Sequence, residues 1–529
     1  MSADPAGRAQ GAHFERSEPQ APTPDEDLRR RLDVARAGGD KRYHAKLKEQ
    51  NKLFVRERLD RIMDPGWSFE DGLLARHVDG NLPADAVVTV VGHIGGRPVC
   101  VIANDMTVKA GTWGYRTFQK ITAMQELAGR TKSALLYLVD SAGARIDEQR
   151  TSYAGRKAWG NIFYNQIQLS GVVPQVCVLL GPSPAGTAYQ PALCDVCIMV
   201  EGNATAYIGS PRMSEMATGE KVTMEEMGGA EMHNRVSGLG DFLCANEEEA
   251  LEVAKQYLSY FPGHWTEKPP LQEARPPAAG KTIAEIVPLS QRVAFNMVDL
   301  IKALVDEGTW LEVKKLWARE LVTGYARLGG RPVGIVANQS RYKGGVLFPD
   351  SSDKAARFIW TCNAFNIPLL FLQDIPGFMV GSQVERAGII RHGAKMLFAV
   401  ADARVPRIAV LVRKAYGGGY LAMSGSPMGP DAVLALPTAK PALMGPESAI
   451  NAIYLNKINE LPEEERAAFI EQKRREYEED IDVYEVASDF SIEAVIPSDE
   501  LRDELIRRYE VYSRKDVPPP NRRNGVIPV

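Results

Sequence analysis

The sequence predicts an α/β fold written twice in one chain, and three observations predict it. First, Gly96-Arg97-Pro98-Val99, followed by Val101-Ile102-Ala103-Asn104, returns 234 residues later as Gly330-Arg331-Pro332-Val333, followed by Ile335-Val336-Ala337-Asn338. The copies stay in step. Leu135 to Asp140 is answered by Leu369 to Asp374 at the same offset, and Val173-Pro174-Gln175-Val176 by Val405-Pro406-Arg407-Ile408 at 232. So long a period marks a duplicated domain, since solenoid and propeller repeats run at roughly 20 to 50 residues. Second, short continuous apolar runs recur in each copy, as strands buried on both faces require. Third, stretches of helical spacing lie between those runs, and this alternation gives near-parallel strands joined by crossover helices.

Taken in order, residues 1–28 are rich in Pro, Ala, Asp and Glu without apolar periodicity and read as a disordered arm. Residues 87–91 and 98–103 are β-branched runs parted by Gly95-Gly96, a hairpin signature. Residues 117–128 place Ile121, Met124, Leu127 and Ala128 at helical spacing, with Gly129 as the predicted stop. A buried strand over 134–139, a helix over 156–169, a strand over 172–180, a helix opening at Tyr189 and an apolar run over 196–200 complete the unit. The proline-rich stretch 269–282 reads as a linker, which sets the two domains at 29–268 and 283–529. The acidic and basic stretch 461–482 reads as a solvated surface helix.

Among 529 residues, 63 basic and 67 acidic side chains leave a net charge of −4, so nucleic acid and anionic membranes are not expected partners. No apolar run reaches 18 residues and no leader-like segment opens the chain, which together predict a cytoplasmic protein. Six cysteines are too few for a disulfide framework. Cys194-Asp195-Val196-Cys197 is formally a C-x-x-C, yet it leads into an apolar run and reads as buried thiols rather than a zinc or redox pair. The seven histidines show no ligand spacing, so no metal is expected, and His392 reads as a packing residue. Gly181-x-Ser183-x-Ala185 lacks the second glycine of a nucleophile elbow and sets proline on both sides of the serine.

Ligands of open α/β sheets gather at the carboxyl ends of strands. Four loops follow buried runs: 140–146 and 181–189 in the first half, 374–378 and 413–420 in the second. All are rich in glycine or other small residues, which lets backbone N–H groups approach a ligand closely. Where such a loop opens a helix, as at Tyr189 and Tyr420, unpaired N–H groups face outward. Two amides aimed at one oxygen stabilise an enolate. For one loop alone, a tight turn would explain the glycines; a matched pair in each half favours the chemical reading.

These loops also carry a resemblance. Gly186 to Asp195, with Tyr207-Ile208-Gly209-Ser210-Pro211 downstream, resembles the crotonase superfamily. Asp140-Ser141-Ala142-Gly143-Ala144-Arg145-Ile146, Ala217-Thr218-Gly219-Glu220, Ser352-Asp353-Lys354-Ala355-Ala356-Arg357-Phe358, Ile389-Ile390-Arg391-His392-Gly393-Ala394-Lys395 and Arg413-Lys414-Ala415-Tyr416-Gly417-Gly418 resemble the carboxyltransferase β subunits of biotin-dependent acyl-CoA carboxylases, over about residues 30 to 510.

The resemblance implies two tandem crotonase-like domains, the first binding acyl-CoA and the second binding biotin carried by a separate protein. It implies transfer of CO2 from carboxybiotin to acyl-CoA through enolates held by backbone amides, with no protein base. Matched motif to motif, it assigns Ala185 and Gly186 to the thioester oxygen and Gly418 and Gly419 to the biotin ureido oxygen, one device used twice. It sets Gly143, Ala144, Arg145, Tyr189 and Leu421 on the substrate side, and Gly377, Phe378, Tyr416 and Gly417 on the biotin side. Arg145 or Arg156 is the expected contact to CoA phosphates, ahead of Arg97, Lys109, Arg116, Lys120 and Lys157. The implied partners are a biotin carboxylase, a biotin carboxyl carrier and further copies of the chain, commonly a hexamer with active sites between subunits.

This chain has Ala185 and Ala142 where the family usually has glycine, and Leu421 where propionyl-CoA carboxylases carry an acid. Gly344-Gly345-Val346-Leu347-Phe348 leans towards methylcrotonyl-CoA carboxylases, so the acyl group stays open. Other readings are the reverse half-reaction in a decarboxylase or transcarboxylase, and a non-catalytic CoA-binding scaffold.

Overall fold

Two sheets with the same strand order carry the chain in a computed structural model that describes residues 22–79, 82–155, 158–518, 520–522 and 525–528. The first sheet runs Phe69–Asp71, Val87–Ile94, Arg97–Asn104, Ala134–Val139, Gln175–Leu179, Val196–Val200 and Phe242–Cys244. Its first three strands are antiparallel, and from Arg97–Asn104 onward every pairing is parallel. The second sheet repeats that path as Leu311–Val313, Leu321–Leu328, Arg331–Asn338, Leu369–Ile375, Arg407–Tyr416, Ala432–Ala435 and Ala494–Val495. Register confirms the duplication. Leu135 pairs with Gln175 as Leu369 pairs with Arg407, so the offset drops from 234 to 232 between the strand Ala134–Val139 and its neighbour Gln175–Leu179. Ala134–Val139 and Leu369–Ile375 are buried throughout, as their unbroken apolar runs require.

Several boundaries differ from the sequence reading. Helix Pro24–Arg36 begins inside the expected arm: Thr23 and Glu26 form a capping box, and buried Ala35 packs with Leu73 and Ala84. The rest of that arm, residues 1–21, lies outside the described residues. The helix read as 117–128 is Tyr115–Thr131, and left-handed Lys132 (φ 56°) ends it. Gly129 does not stop it; it stays small because a Cβ there would stand 3.0 Å from Leu169 Cδ2. The strand expected over 172–180 is confined to Gln175–Leu179, because the N–H groups of Val172 and Val173 bond back to Leu169 O at the end of helix Gly160–Leu169. The surface helix is Glu463–Asp480, with no buried residue.

The halves share one core. Tyr257 stacks on Phe261 at 4.4 Å, Tyr260 on Tyr325 at 5.8 Å, and Phe261 meets Phe365 at 5.5 Å, so aromatics of both halves fill the seam. Each such ring contributes about 1.5–3 kcal/mol on burial. Polar ties cross the seam as well: Arg357 donates to Cys194 O at 2.5 Å, and Lys314 pairs with Asp241 at 3.0 Å. The segment between the halves is irregular but strapped down, with Gln272 N donating to Gly330 O and Arg275 N to Asp306. All six cysteines are buried and free. Among the described residues no helix is long and apolar enough to cross a membrane, and no metal-binding group of His, Cys, Asp and Glu is present.

Candidate active site

At the carboxyl end of Ala134–Val139, Asp140 is fully buried and the chain turns through Gly143 (φ 97°), a left-handed conformation that suits glycine. Trp113 N donates to Gly143 O (2.9 Å) and Arg145 N to Trp113 O (2.8 Å), so the N–H of Ala144 points away from that bridge and has no partner among the described residues. The second half builds the same loop. Gly377 (φ 129°) follows Asp374, Leu347 N donates to Gly377 O (3.1 Å) and Met379 N to Leu347 O (2.9 Å), leaving the N–H of Phe378 free in the same way.

Beside each loop stands a second turn. In the first half Pro182–Pro184 leads into a 3-10 turn, Ala185–Ala188, and the short helix Tyr189–Leu193. Ser183 Oγ donates to Thr187 O at 2.9 Å and fixes the turn. The opening N–H groups of such a turn have no intrahelical acceptor. A Cβ on Gly143 would touch Pro184 at 3.3 Å and one on Gly186 would strike the Trp159 ring at 2.6 Å, so Gly143, Ala144, Ala185 and Gly186 lie together. In the second half Arg407–Tyr416 runs straight into helix Gly417–Ala422. A Cβ on Gly419 would strike Ile375 at 2.5 Å and Gly377 Cα at 2.9 Å, while Gly418 looks only onto the Phe378 ring at 3.7 Å. Gly377, Phe378, Tyr416, Gly417, Gly418 and Gly419 therefore form one site. Tyr416 lines it, and burial pushes its hydroxyl up to about 12. Leu421 is half-buried on the same short helix.

The two turns correspond one residue out of step with the sequence match. Ala185 and Gly417 share φ 53° and are 232 residues apart, as are Gly186 and Gly418; Gly419 stands opposite Thr187. The equivalent pairs are thus Ala185-Gly186 and Gly417-Gly418. A left-handed alanine costs on the order of 1–2 kcal/mol, so Ala185 holds the turn under strain that Gly417 escapes.

Arg145 is corrected from a ligand contact to a loop anchor. Its guanidinium is buried, pairs with Asp85 at 2.5 Å and donates to Thr112 O at 3.0 Å. The other named cations are also engaged: Arg97 with the carbonyls of Leu258 and Phe261, Lys120 with those of Ala84 and Val87, Lys109 with Asp147, and Arg116 with Gln119. Arg156 and Lys157 lie outside the described residues. His392 packs by hydrogen-bonding Asp353 at 2.8 Å.

Two features were missed in the sequence. One is an aromatic wall beside Gly186, where Trp159 meets Tyr153 (6.1 Å) and Phe163 (5.2 Å), and Phe163 meets half-exposed Tyr189 (6.3 Å). The other is the charge beneath each loop. Asp140 binds Lys52 (2.9 Å) and Arg58 (3.0 Å), and Arg58 also binds Glu247 (2.6 Å). Burial alone would raise the Asp140 carboxyl, but Arg58 and Lys52 outweigh it and hold it below its ordinary value. Asp374 instead binds Arg413 (2.7 Å) and Lys414 (3.4 Å). Both sites therefore present neutral amides over carboxylates already balanced by cations, an arrangement suited to stabilising an oxyanion rather than to transferring protons from a side chain.

Residues 46–527 match the carboxyl transferase domain family. An uncharacterized carboxylase, YngE, of Bacillus subtilis (strain 168) is 56% identical over 500 residues, covering 94% of this chain and 98% of its own. A putative propionyl-CoA carboxylase beta chain of the same organism is 38% identical over 505 residues, covering 94% and 97%. Among solved structures, the hexameric transcarboxylase 12S with methylmalonyl-coenzyme A and methylmalonic acid bound superposes with a TM-score of 0.91 at 38% identity, covering 96% of this chain and 99% of that one.

Proposed function

We propose, from the premise that this chain belongs to the carboxyl transferase domain family, a division of labour between its two sites. The protein is a carboxyltransferase of the biotin-dependent acyl-CoA carboxylase class. In our reading the first half takes a short acyl-CoA, with the amides of Ala185 and Gly186 on the thioester oxygen and Gly143 and Ala144 lining the approach. Hydrogen bonds to that oxygen make the α-proton more acidic and hold the enolate that follows. The second half takes biotin on a carrier protein, with Gly417, Gly418 and Gly419 supplying amides and the Phe378 ring a flat apolar face. The residues present fit that group. Around Gly418 the donors are uncharged, and Arg413 and Lys414 are turned to Asp374, which suits a neutral urea better than an anion.

When bound, biotin delivers the carboxyl group and supplies the base for the α-proton, so neither loop needs a titrating side chain. The carrying observation is the pair of equivalent amide turns, each over a neutralised buried carboxylate. We assign the completed site to a junction between copies, as in a hexamer. Apolar side chains stand exposed in both halves, with Met216 80% and Val236 70% exposed in the first and Val380 79% and Phe490 80% in the second, surface that association between copies would cover.

The test supplies the full chain with a biotin carboxylase, biotinylated carrier, ATP, labelled bicarbonate and a panel of acyl-CoAs. Label is expected in one or more acyl-CoAs, and Gly418→Val should abolish it while acyl-CoA binding persists. Retained acyl-CoA binding with no labelled product from any of the panel overturns the catalytic reading.

A further inference from the structure

The duplication exposes an arginine that is hydrogen-bonded in one copy and, among the described residues, left without a hydrogen bond or ion pair in the other. In the first half Arg97 donates to Leu258 O at 2.5 Å and to Phe261 O, closing the end of helix Glu247–Tyr260. Its counterpart Arg331 stands against the equivalent helix, Leu501–Tyr512, but there Ser513 O accepts from Lys268 at 3.0 Å. Arg331 makes no side-chain hydrogen bond or ion pair among the described residues. It is half-buried, and desolvation lowers its pKa against the opposing pull of Glu510.

Arg331 opens onto a groove of about 850 Å³ between the interdomain segment, the C-terminal tail and the loops before Leu369 and Arg407. Those loops lie at the amino ends of parallel strands, opposite the glycine turns. The groove contains Lys268, Arg331, Arg404, Arg514 and Lys515 against a single acid, Asp516, in a chain whose net charge is −4. Lys515 pairs with Asp431 at 2.9 Å, and Arg404 lies 3.9 Å from Asp402. Arg331 and Arg514 are left without ion pairs among the described residues. Trp265 (52% exposed), Leu271 (63%) and Val517 (47%) add apolar surface along the same groove.

We propose that this groove docks an extended acidic segment of a partner protein, with carboxylates on Arg331 and Arg514 and apolar side chains on Trp265. A compact phosphate is bound by donors that converge on one point, backbone N–H groups or clustered cations. Here the cations come from separate segments, interleaved with apolar residues and with Pro269, Pro332, Pro368, Pro406 and Pro518, which have no N–H to offer. Such a surface reads side chains spaced along a strand of alternating acidic and apolar residues. An occupant on this end leaves both glycine sites open.

The experiment is fluorescence anisotropy of a labelled nine-residue peptide alternating Glu and Leu, titrated with the full chain, beside a Gln/Leu control and ADP. Saturable binding is expected, weakened about tenfold or more by Arg331→Met and again by Arg514→Glu, as for loss of one charge-assisted pair. Arg97→Met should leave it unchanged, and melting curves of each variant report folding. No saturable binding, equal binding of the Gln/Leu peptide, or indifference to both groove variants overturns the proposal. Displacement of the peptide by ADP at equal concentration does so too, by revealing a small-anion site.

Discussion

Asp140 and Asp374 are the same carboxylate in two copies of one fold, yet their charges are balanced from different directions. In the second half Arg413 lies on the neighbouring strand and reaches Asp374 directly. At the equivalent position the first half has Gly181, where a Cβ would stand 1.9 Å from Asp140 Oδ1 and 2.6 Å from Lys52 Nζ. The cation has moved from the strand to Lys52 and to Arg58 in helix Val55–Ile62, and the missing side chain makes room for it. The backbone of the loop is kept while its electrostatics are rebuilt, because the amides need a fixed turn and the carboxylate needs only some buried cation. The first site therefore depends on the N-terminal helices, whereas the second is self-contained.

The sharpest test of that difference removes one cation from each site. Arg413→Met leaves Asp374 buried beside only Lys414 and should cost about 3–5 kcal/mol in denaturant unfolding. Lys52→Met should cost clearly less, because Arg58 still holds Asp140; equal losses would break the comparison. Next in size is the arginine pair. Arg97→Met should cost about 1.5–3 kcal/mol by stranding two carbonyls, and Arg331→Met no more than about 0.5 kcal/mol, read by the same unfolding curves. The turns give a smaller, reciprocal effect. Ala185→Gly should stabilise by about 1 kcal/mol by relieving a left-handed alanine, and Gly417→Ala should destabilise by at least as much, since its Cβ would stand 2.8 Å from Leu443 O.

The smallest effect is in pH dependence. Asp140 has a folded pKa below its ordinary 3.8, so its contribution is present at neutral pH and lost as pH falls through the carboxylate range. Asp195 is pushed up to about 6, by burial against the pull of Arg357, so its contribution is fullest below 3.8 and lost as pH rises through about 6. In melting curves the deficit of Asp140→Asn should shrink on acidification to about pH 3, while Asp195→Asn should gain on the parent from about pH 4 to about pH 6 and hold that gain at higher pH. The same trend in both variants would contradict these assignments.

What was legible in the sequence was local or periodic. The buried strands, the hairpins and all four glycine loops followed from runs of a few residues, and the 234-residue repeat placed them in two copies. Thr23 and Glu26 were equally local, but a composition typical of disorder hid their capping box. Arg145 stood in the right loop and was misassigned, because nothing near it in sequence announces Asp85, 60 residues away. Arg58 and Glu247 lie 189 residues apart and carry no joint pattern at all.

By itself, then, the sequence determined the α/β class, the duplication and the loops that carry amides, because strand burial and turn chemistry are set by near neighbours. Only the tertiary structure decided which carboxylates are neutralised and by what, that Ala185 answers Gly417 rather than Gly418, and that Arg331 is left open where Arg97 is closed. Those outcomes depend on which distant side chains share one buried volume, and a charge is satisfied by proximity in space, whatever its place in the chain.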